Sequence, residues 1–387
     1  MKLLFVSNLF PDADDPVRGL DNACLLHALS DRVEEIRAIG IRPTLGKKRE
    51  YEAREEDRKF SPRYCCPFYI PKVGSRWNHR LMARSLRQTI REIRSEFPFD
   101  VVLGSWLYPD GCALAQLARE MDFRYLLICQ GSDARAYLDI PVRRKLIVDA
   151  ARGSGGVITR SADLARRLRE AGVSSEKLHP IYNGVDTSVF RPASDSAKER
   201  AALGLDAEAD YLVYVGNFLP VKNPMRLLDA WRQARLELGS QAAPHDLRLV
   251  MIGAGPMEGQ IRSWAAENGL SEMLTLTGRL APPEVAGYLR LGRCLVLSSH
   301  NEGVPNVVLE ALASGVPVVS TEVGGISEII TSEELGTLVP PNNIKALAQA
   351  LVDCVTGTAS REIAQKGAEF SWAETAERYL RLIEDGS

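Results

Sequence analysis

The stretch Glu302-Gly303-Val304-Pro305-Asn306-Val307-Val308-Leu309-Glu310 places two carboxylates around the start of a predicted helix. Pro305 suits the first turn of a helix, where its missing N–H costs nothing, and the pattern predicts a helix over 306–314 that ends at the following glycine. Glu302 then lies in the loop before the helix, and Glu310 lies inside it. The amino end of a helix attracts phosphate, and a carboxylate accepts hydrogen bonds from hydroxyls. The stretch therefore suits a ligand that is both phosphorylated and rich in hydroxyls.

This stretch, together with the run from Val316 to Ile330, resembles the two-glutamate signature of the retaining, nucleotide-sugar-dependent glycosyltransferases of family 4. The resemblance spans nearly the whole chain and is strongest over 211–335. It implies the GT-B fold, in which two Rossmann-like, doubly wound α/β domains face each other across a cleft. It also implies that a sugar nucleotide binds mainly to the second domain and an acceptor mainly to the first.

The composition is that of an ordinary globular protein, and 387 residues are enough for two domains with sizeable cores. No run approaches eighteen apolar residues, so no transmembrane helix is expected. The short apolar run after Met1 indicates a first strand and not a signal peptide. The seven cysteines show no spacing typical of a metal site, and their odd number favours a reducing, cytoplasmic location.

Apolar runs at strand length alternate with helical stretches, and this pattern starts again after residue 192. Two consecutive sets indicate two doubly wound domains. We expect a first domain over 1–192 and a second over 193–369, with the closing helix, about 370–387, packed on the first domain, as the resemblance implies. The strands expected are 3–7, 101–104, 125–129, 156–159, 211–215, 247–252, 274–277, 295–298 and 316–320.

Several residues of the second half stand where the family holds its donor. Lys222 follows the first strand of this half, and the resemblance gives it the donor phosphates. Asn217 stands where relatives usually carry arginine, so this site has one cation fewer. Arg279 and Leu280 follow a later strand and match the turn that lies against the nucleotide base. Lys222 has the alternative of a solvated loop lysine, and Arg279 and Leu280 could equally belong to a plain tight turn.

The resemblance assigns the rest of the donor site to the opening stretch. Glu310 would hold the ribose hydroxyls, and Glu302 would lie at the donor sugar and stabilise positive charge at the anomeric carbon. The segment Gly303, Val304, Pro305 and Asn306 would bring its backbone N–H groups to the departing phosphate. The family mechanism needs no metal and no resident cofactor, and the donor is expected to be of the UDP or GDP type.

The first half supplies the candidate contacts on the sugar and acceptor side. Gly19 is the one glycine left of a glycine-rich loop whose bare backbone approaches the donor in relatives. Gln130 stands where relatives commonly carry a histidine that contacts the transferred sugar, and it cannot exchange a proton near neutral pH. Trp106 and Asp133 are candidate sugar contacts, although Asp133 could equally cap a helix.

Five arginines recur at steps of three and four residues, which places them on one face of a predicted helix over 80–96. They are Arg80, Arg84, Arg87, Arg91 and Arg94. Residues 1–192 hold 32 Lys and Arg against 25 Asp and Glu, whereas the remainder holds 16 against 25. A solvated charged face explains most such stripes, but relatives often dock on anionic membranes through a basic element of the first domain. No motif indicates nucleic-acid binding.

The sequence therefore predicts a metal-independent, retaining hexosyltransferase for polysaccharide or lipid-linked glycan synthesis, in the cytoplasm or on the inner face of the membrane. Three alternatives remain open. They are an epimerase or hydrolase of the same fold, a non-catalytic nucleotide-sugar binder, and a sugar-phosphate synthase with a small soluble acceptor. Asn217 and Gln130 are the residues that favour the non-catalytic alternative.

Overall fold

The computed structural model describes residues 1–46, 49–240, 245–357 and 362–385. The chain forms two compact units, unit 1 with Met1–Gly184 and Trp372–Ser387, and unit 2 with Val185–Ser371. The division falls earlier than the boundary at residue 192 that we expected. The backbone of Val185 pairs with the returning chain, its N–H donating to the carbonyl of Phe370 at 2.7 Å, so the segment that follows Gly184 belongs with unit 2.

Unit 1 is built on a seven-stranded sheet of parallel strands in the order β3-β2-β1-β4-β5-β6-β7. The strands are β1 (Lys2–Ser7), β2 (Glu35–Ile41), β3 (Arg63–Cys65), β4 (Val101–Ser105), β5 (Tyr125–Cys129), β6 (Val157–Thr159) and β7 (Leu178–Pro180). The helices are α1 (Leu20–Ser30), α2 (Asn78–Glu96), α3 (Cys112–Met121), α4 (Ser132–Arg135), α5 (Pro141–Gly153) and α6 (Ala162–Glu170).

Both faces of this sheet are covered, because its central strands β1, β4 and β5 are mostly apolar on both faces. Leu3 and Phe5 of β1 pack on one side with α1, while Leu4 and Val6 pack on the other side with α2 and α3. The period of two along a strand sends successive side chains to opposite faces, so a continuously apolar run needs a helix layer on each side. This doubly wound arrangement puts the loops that follow the strands at one edge, where ligands bind in such folds.

Unit 2 repeats the architecture with a six-stranded parallel sheet in the order β10-β9-β8-β11-β12-β13. The strands are β8 (Asp210–Val215), β9 (Leu247–Ile252), β10 (Leu274–Gly278), β11 (Cys294–Leu297), β12 (Val318–Thr321) and β13 (Gly336–Val339). The helices are α7 (Ser196–Ala202), α8 (Pro224–Gly239), α9 (Glu258–Glu267), α10 (Pro282–Leu289), α11 (Asn306–Ala313), α12 (Ile344–Thr356) and α13 (Glu362–Ala368).

The closing helix α14 (Trp372–Asp385) lies in unit 1 beside α1. Its Ala376, Tyr379 and Ile383 are fully buried in the same apolar cluster as Leu3 and Phe5 of β1. They recur at steps of three and four residues, so one face of α14 meets the sheet's helix layer. The carboxyl end of the chain thus completes the core of unit 1.

Candidate functional site

Three loops meet at the carboxyl edge of the sheet in unit 2, after β8, β9 and β10. Gly216 N–H donates to the carbonyl of Ile252, Phe218 N–H to that of Ala254, and Gly253 N–H to that of Gly278. A side chain on Gly253 could not fit, because its Cβ would lie 2.0 Å from the carbonyl oxygen of Gly216 and its φ is +140°. Only glycine allows this approach of two backbones. The loop that carries Asn217 and Lys222 is therefore held against its neighbours by backbone contacts.

The two-glutamate stretch has the local structure that the sequence predicts. α11 begins at Asn306 and its last turn is followed by Gly315 with φ +76°. Val316 N–H donates to the carbonyl of Ala311 at 2.9 Å, which closes a Schellman-type end. Pro305 is the residue before the helix and not its first helical residue. Glu310 lies in the second turn and is half-buried.

Glu302 and Lys222 form an ion pair across two loops of unit 2. Lys222 Nζ lies 2.6 Å from both carboxylate oxygens of Glu302. Glu302 is buried, whereas about a quarter of the Lys222 side chain is exposed. Ser299 Oγ donates a further hydrogen bond to Glu302 Oε1 at 2.6 Å. The pair places one cation and one anion, both pre-positioned, at the carboxyl edge of the sheet, where one side of the lysine remains open to solvent.

The loop after β11 also holds the lysine segment by its backbone. Ser298 Oγ donates to the carbonyls of Lys222 and Asn223 at 3.1 and 2.8 Å, and His300 N–H donates to that of Val221 at 2.8 Å. The loop is fixed in turn from β12, since Thr321 Oγ1 donates to the carbonyl of Ser299 at 2.7 Å. The ion pair is therefore assembled by loops from three neighbouring strands.

The sequence reasoning missed Ser298, Ser299 and Thr321. They follow or end buried strands, and that position at the ligand edge of the sheet is the signal that could have found them. Their hydroxyls serve carbonyls and one carboxylate inside unit 2, so they position the loop and the ion pair.

The remaining predicted donor residues lie at the same edge of unit 2. The carbonyl of Asn217 accepts from the buried Tyr214 hydroxyl at 3.2 Å, and burial raises the pKa of that hydroxyl. Arg279 is exposed and Leu280 half-buried, after Gly278 ends β10. Gly303, Val304 and Pro305 are half-buried between the glutamates. The structure thus brings these candidates to one edge of one sheet.

Gly19 has a structural reason of its own in unit 1. It precedes α1 with φ +64°, and a Cβ there would lie 2.3 Å from the carbonyl carbon and oxygen of Leu9. Glycine is therefore required here by the contact with Leu9, the residue that follows β1 and Asn8, and the approach of Gly19 to a donor stays a prediction. Arg18 Nε donates to the carbonyl of Asn8 at 2.8 Å, which joins the same two loops.

Gln130 and Asp133 lie together after β5, but Asp133 is not available to a sugar. Asp133 is fully buried, and its carboxylate accepts from the N–H groups of Gly131 at 2.7 Å, Leu107 at 2.9 Å and Gln130 at 3.1 Å. Burial raises the pKa of Asp133, and these hydrogen bonds oppose that rise. The sugar contact that we expected is replaced by a positioning role, in which Asp133 fixes the loops after β4 and β5.

The side chain of Gln130 is half-buried and is held by its neighbours in unit 1. Its Nε2 donates to Ser105 Oγ at 2.8 Å and to Asn22 Oδ1 at 2.9 Å. Both donor hydrogens of the amide are therefore used within the protein, and its carbonyl oxygen is the group left to accept from a ligand. Trp106 follows Ser105 at the same edge and is half-buried.

Asp110 is a buried carboxyl group of the loop between β4 and α3. Its Oδ2 accepts from the backbone N–H and from Nδ2 of Asn8 at 2.8 and 2.9 Å, while Oδ1 has no hydrogen-bond partner among the described residues. Burial raises the pKa of Asp110 to about 7. The group therefore changes charge near neutral pH beside the loop that follows β1.

The arginine stripe lies on α2, whose opposite face is buried through Met82, Leu86, Ile90 and Ile93. Arg87 pairs with Glu120 at 2.8 Å, and Arg94 donates to the carbonyls of Met121 and Asp122. These two arginines serve the packing of α2 on α3.

The other three arginines of the stripe, Arg80, Arg84 and Arg91, are exposed, and none pairs with a carboxylate in the described ranges. The basic surface that α2 offers to solvent is therefore smaller than the sequence predicted.

Two features are absent from the part of the chain that the structure describes. No helix there is both long and apolar enough to cross a membrane. No group of three or more His, Cys, Asp and Glu residues in the same ranges is placed to hold a metal ion.

Comparison with protein families matches both halves of the chain. Residues 31–189 match the model of Glycosyltransferase Family 4, and residues 195–369 match the model of Glycosyl transferases group 1. One relative is TuaC of Bacillus subtilis, named as a teichuronic acid biosynthesis glycosyltransferase. It is 28% identical over 366 residues, which cover 91% of this chain and 88% of TuaC. The D-inositol 3-phosphate glycosyltransferase of Jonesia denitrificans is 31% identical, over 54% of this chain and 51% of that relative.

Solved structures share the fold at low sequence identity. Sucrose-phosphate synthase from Thermosynechococcus elongatus has a TM-score of 0.77 and 20% identity, covering 100% of this chain and 98% of that one. HepE from Anabaena, in complex with UDP, also has a TM-score of 0.77, with 18% identity and full coverage of both chains. The two α/β units are thus those of the GT-B fold.

Removing Lys222 should cost more stability than removing an exposed lysine, because it leaves the buried Glu302 carboxylate without its cation. Breaking a buried ion pair costs ~3–5 kcal/mol. Because Lys222 is partly exposed, we expect Lys222→Met to lower the free energy of unfolding by an amount near the lower end of that range. The double variant Lys222→Met/Glu302→Gln should recover most of this loss. Urea denaturation measures both, with Lys366→Met of the exposed Lys366–Glu369 pair as the control. Equal losses for the two lysine variants would show that the Glu302 carboxylate does not depend on Lys222 for its stability.

Asp110 should make the protein less stable as pH rises toward neutral. A carboxyl group whose folded pKa of about 7 lies above its unfolded value keeps its proton in the folded state, so stability falls as pH rises from about 4 to about 7. Asp110→Asn removes this loss and keeps an oxygen for Asn8. The melting temperature of the variant relative to the parent should rise between pH 5 and pH 8, and a difference that does not change with pH would refute the buried charge.

Proposed function

Because this chain belongs to the group 1, family 4 glycosyltransferases, which have the GT-B fold, we propose that it is a retaining enzyme that moves a hexose from a nucleotide sugar to a glycan or lipid-linked glycan. The observation that carries the proposal is the ion pair between Lys222, after β8, and Glu302, in the loop that leads into α11, the helix that bears Glu310. A cation, two carboxylates and a helix amino end then share the ligand edge of one sheet. This combination matches the charges and hydroxyls of a sugar nucleotide.

In the proposed donor complex the diphosphate lies against Lys222 and the amino end of α11. The helix end contributes oriented N–H dipoles, which offset negative charge without a metal ion. Glu310 accepts from the ribose hydroxyls, and the turn with Arg279 and Leu280 lies against the base. Asn217 donates a hydrogen bond where relatives carry a charge. Lys222 would therefore be shared between Glu302 and the phosphate, since it is the cation that the ion pair already positions.

The proposed reaction breaks the bond between the anomeric carbon and the leaving phosphate oxygen. The acceptor hydroxyl forms its new bond to that carbon on the same face, and its proton passes to the departing phosphate. Glu302 stabilises the positive charge that develops on the sugar, and Lys222 stabilises the negative charge on the phosphate. The carboxylate of Glu302 and the ammonium group of Lys222 are positioned before the reaction, so they need little rearrangement when charge develops on the sugar and the phosphate.

The names of relatives support a donor and an acceptor class. HepE has been solved with UDP and with UDP-glucose, which makes UDP-sugars the first donors to test. TuaC is named for teichuronic acid biosynthesis, which supports a glycan acceptor. A second candidate function is nucleotide-sugar binding without transfer, or with hydrolysis alone. It is favoured by Gln130, whose amide donors are occupied by Ser105 and Asn22.

Donor binding should depend on Glu310. Isothermal titration with UDP-, GDP- and ADP-sugars should show binding of the sugars of one of these nucleotides. EDTA should leave this binding unchanged, because the proposed donor site uses no metal ion. Glu310→Gln should weaken donor binding roughly tenfold or more, the size expected for lost hydrogen bonds to a charged group. Glu328→Gln, on another segment of unit 2, is the control. Undiminished affinity in Glu310→Gln would remove this residue from the donor site. Release of free sugar without acceptor would identify the hydrolytic alternative.

We also propose that unit 1 rests on an anionic membrane surface through the exposed part of the stripe, Arg80, Arg84 and Arg91. The segment just before α2 adds exposed apolar groups, since Val73 is 73% and Trp77 is 51% exposed. Exposed arginines beside an exposed tryptophan are typical of protein surfaces that bind the interface of anionic lipids. Such a position would bring the enzyme to lipid-linked acceptors.

Neutralising Arg80, Arg84 and Arg91 with glutamine should reduce sedimentation with phosphatidylglycerol vesicles. Each arginine near an anionic surface is worth about 1 kcal/mol, so three should lower the partition coefficient by two orders of magnitude at low salt. The matched control is Arg152→Gln, an arginine of unit 1 that pairs with Asp149. Failure of the unaltered protein to sediment with these vesicles would end the membrane proposal.

A further inference from the structure

Trp106 has a backbone conformation that a bulky residue rarely adopts. Its φ is +88° and its ψ +115°, directly after β4 at the carboxyl edge of the unit 1 sheet. Positive φ at a residue with a large side chain is a genuine outlier that costs free energy and persists where the surroundings hold it. Such strain concentrates at ligand sites, and Trp106 lies at the edge of the sheet where ligands bind in this fold.

Hydrogen bonds on both sides hold this turn. Trp106 N–H donates to the carbonyl of Ile128 at 2.9 Å, and the carbonyl of Trp106 accepts from Gly111 N–H at 3.0 Å. The N–H of the next residue, Leu107, donates to the buried carboxylate of Asp133 at 2.9 Å. A fully buried aspartate and a strand of the sheet therefore fix where the tryptophan stands.

The indole is braced from one side by the half-buried Tyr137, which buried groups hold in turn. Trp106 and Tyr137 meet edge to face, with ring centroids 6.2 Å apart and an interplanar angle of 81°. Tyr137 is held in turn by Arg143, whose guanidinium carbon lies 4.4 Å from its ring centroid and which is only 7% exposed. Tyr108 meets Tyr137 in a second edge-to-face contact at 5.9 Å. The half-buried Trp106 thus presents a rigid aromatic surface at the ligand edge of the sheet.

A hydrogen-bonding group follows the neighbouring strand. Ser105, the residue before Trp106, accepts from the Gln130 amide through its hydroxyl, and both donors of that amide are used within the protein. The carbonyl oxygen of Gln130 is therefore the atom of this side chain that can accept from a ligand at this edge of the sheet. An aromatic side chain and a hydrogen-bond acceptor that follow neighbouring strands suit a ring that is apolar on one face and carries hydroxyls at its rim.

We propose that Trp106 forms a stacking subsite for a pyranose ring of the acceptor, with Gln130 accepting from one of its hydroxyls and Tyr137 acting as a positioning residue. The C–H groups on one face of a pyranose carry partial positive charge and lie well on the negative face of an aromatic ring. The strained backbone and the brace hold the indole before the sugar arrives, which reduces the entropy lost on binding. The subsite rests on the proposed function, since it names the acceptor of that reaction as a sugar.

Saturation-transfer NMR with four neutral disaccharides tests the subsite in the full-length protein. The probes are maltose, cellobiose, lactose and diacetylchitobiose. We expect at least one to bind, with Trp106→Ala weakening its affinity roughly tenfold or more and Trp106→Phe within about threefold. Tyr137→Ala should weaken binding and Tyr137→Phe restore it, because the brace needs the ring and not the hydroxyl. Phe68→Ala, at a more exposed aromatic of unit 1 with 51% exposure, is the control.

Calorimetry with UDP-sugars on the same samples separates the two proposals. Nucleotide-sugar binding that survives in Trp106→Ala, together with lost disaccharide binding, supports the subsite and shows that the variant is folded. Nucleotide-sugar binding with no disaccharide signal from the unaltered protein overturns the subsite alone. Disaccharide binding that depends on Trp106, without binding of any nucleotide sugar, overturns the proposed function and leaves the subsite standing. Loss of nucleotide-sugar binding in Trp106→Ala, with Phe68→Ala unchanged, would assign the indole to a base and refute the sugar.

Discussion

The ion pair between Lys222 and Glu302 is the interaction on which the candidate site of unit 2 depends. A carboxylate as buried as Glu302 is costly unless a cation and further hydrogen bonds compensate it. Lys222 and Ser299 supply both, and each comes from a loop that a neighbouring strand holds in place. The chemistry proposed for the site and the stability of the loops therefore rest on the same few atoms, which explains why so much of the local backbone is bonded across loops.

In unit 1 buried carboxylates hold loops at the carboxyl edge of the sheet. Its ligand edge is shaped by buried polar groups that hold irregular backbone, with Asp133 accepting three N–H groups and Asp110 accepting two groups of Asn8. Burying a carboxylate costs solvation free energy, which its hydrogen bonds must offset. One oxygen of Asp110 has no hydrogen-bond partner in the described part of the chain. The strained turn at Trp106 is held by Asp133, so the indole owes its position to a fully buried carboxylate.

The alternating pattern of strands and helices could be predicted because buried parallel strands are continuously apolar and stand out at strand length. β5 and β9 were predicted to the residue, and α11 to within one. Gly19 and Asp133 were harder, because Gly19 packs on Leu9 in another loop and one partner of Asp133, Leu107, lies 26 residues earlier in the chain. A glycine that meets Leu9 and a glycine that meets a ligand look alike in a sequence, and a buried carboxylate looks like an exposed one.

The sequence by itself determined the family, the two Rossmann-like units and the residues that stand at the ends of the strands. These follow from local periodicity and from motifs that are short and contiguous. Tertiary structure decided what those residues do for one another. It paired Lys222 with Glu302 and bound Gln130 to Asn22 and Ser105. It also reduced the arginine stripe to its three exposed members, since Arg87 and Arg94 bind the end of α3. Pairings of this kind depend on which strands lie side by side in the sheet, and an order such as β1-β4-β5 is not written in the order of the chain.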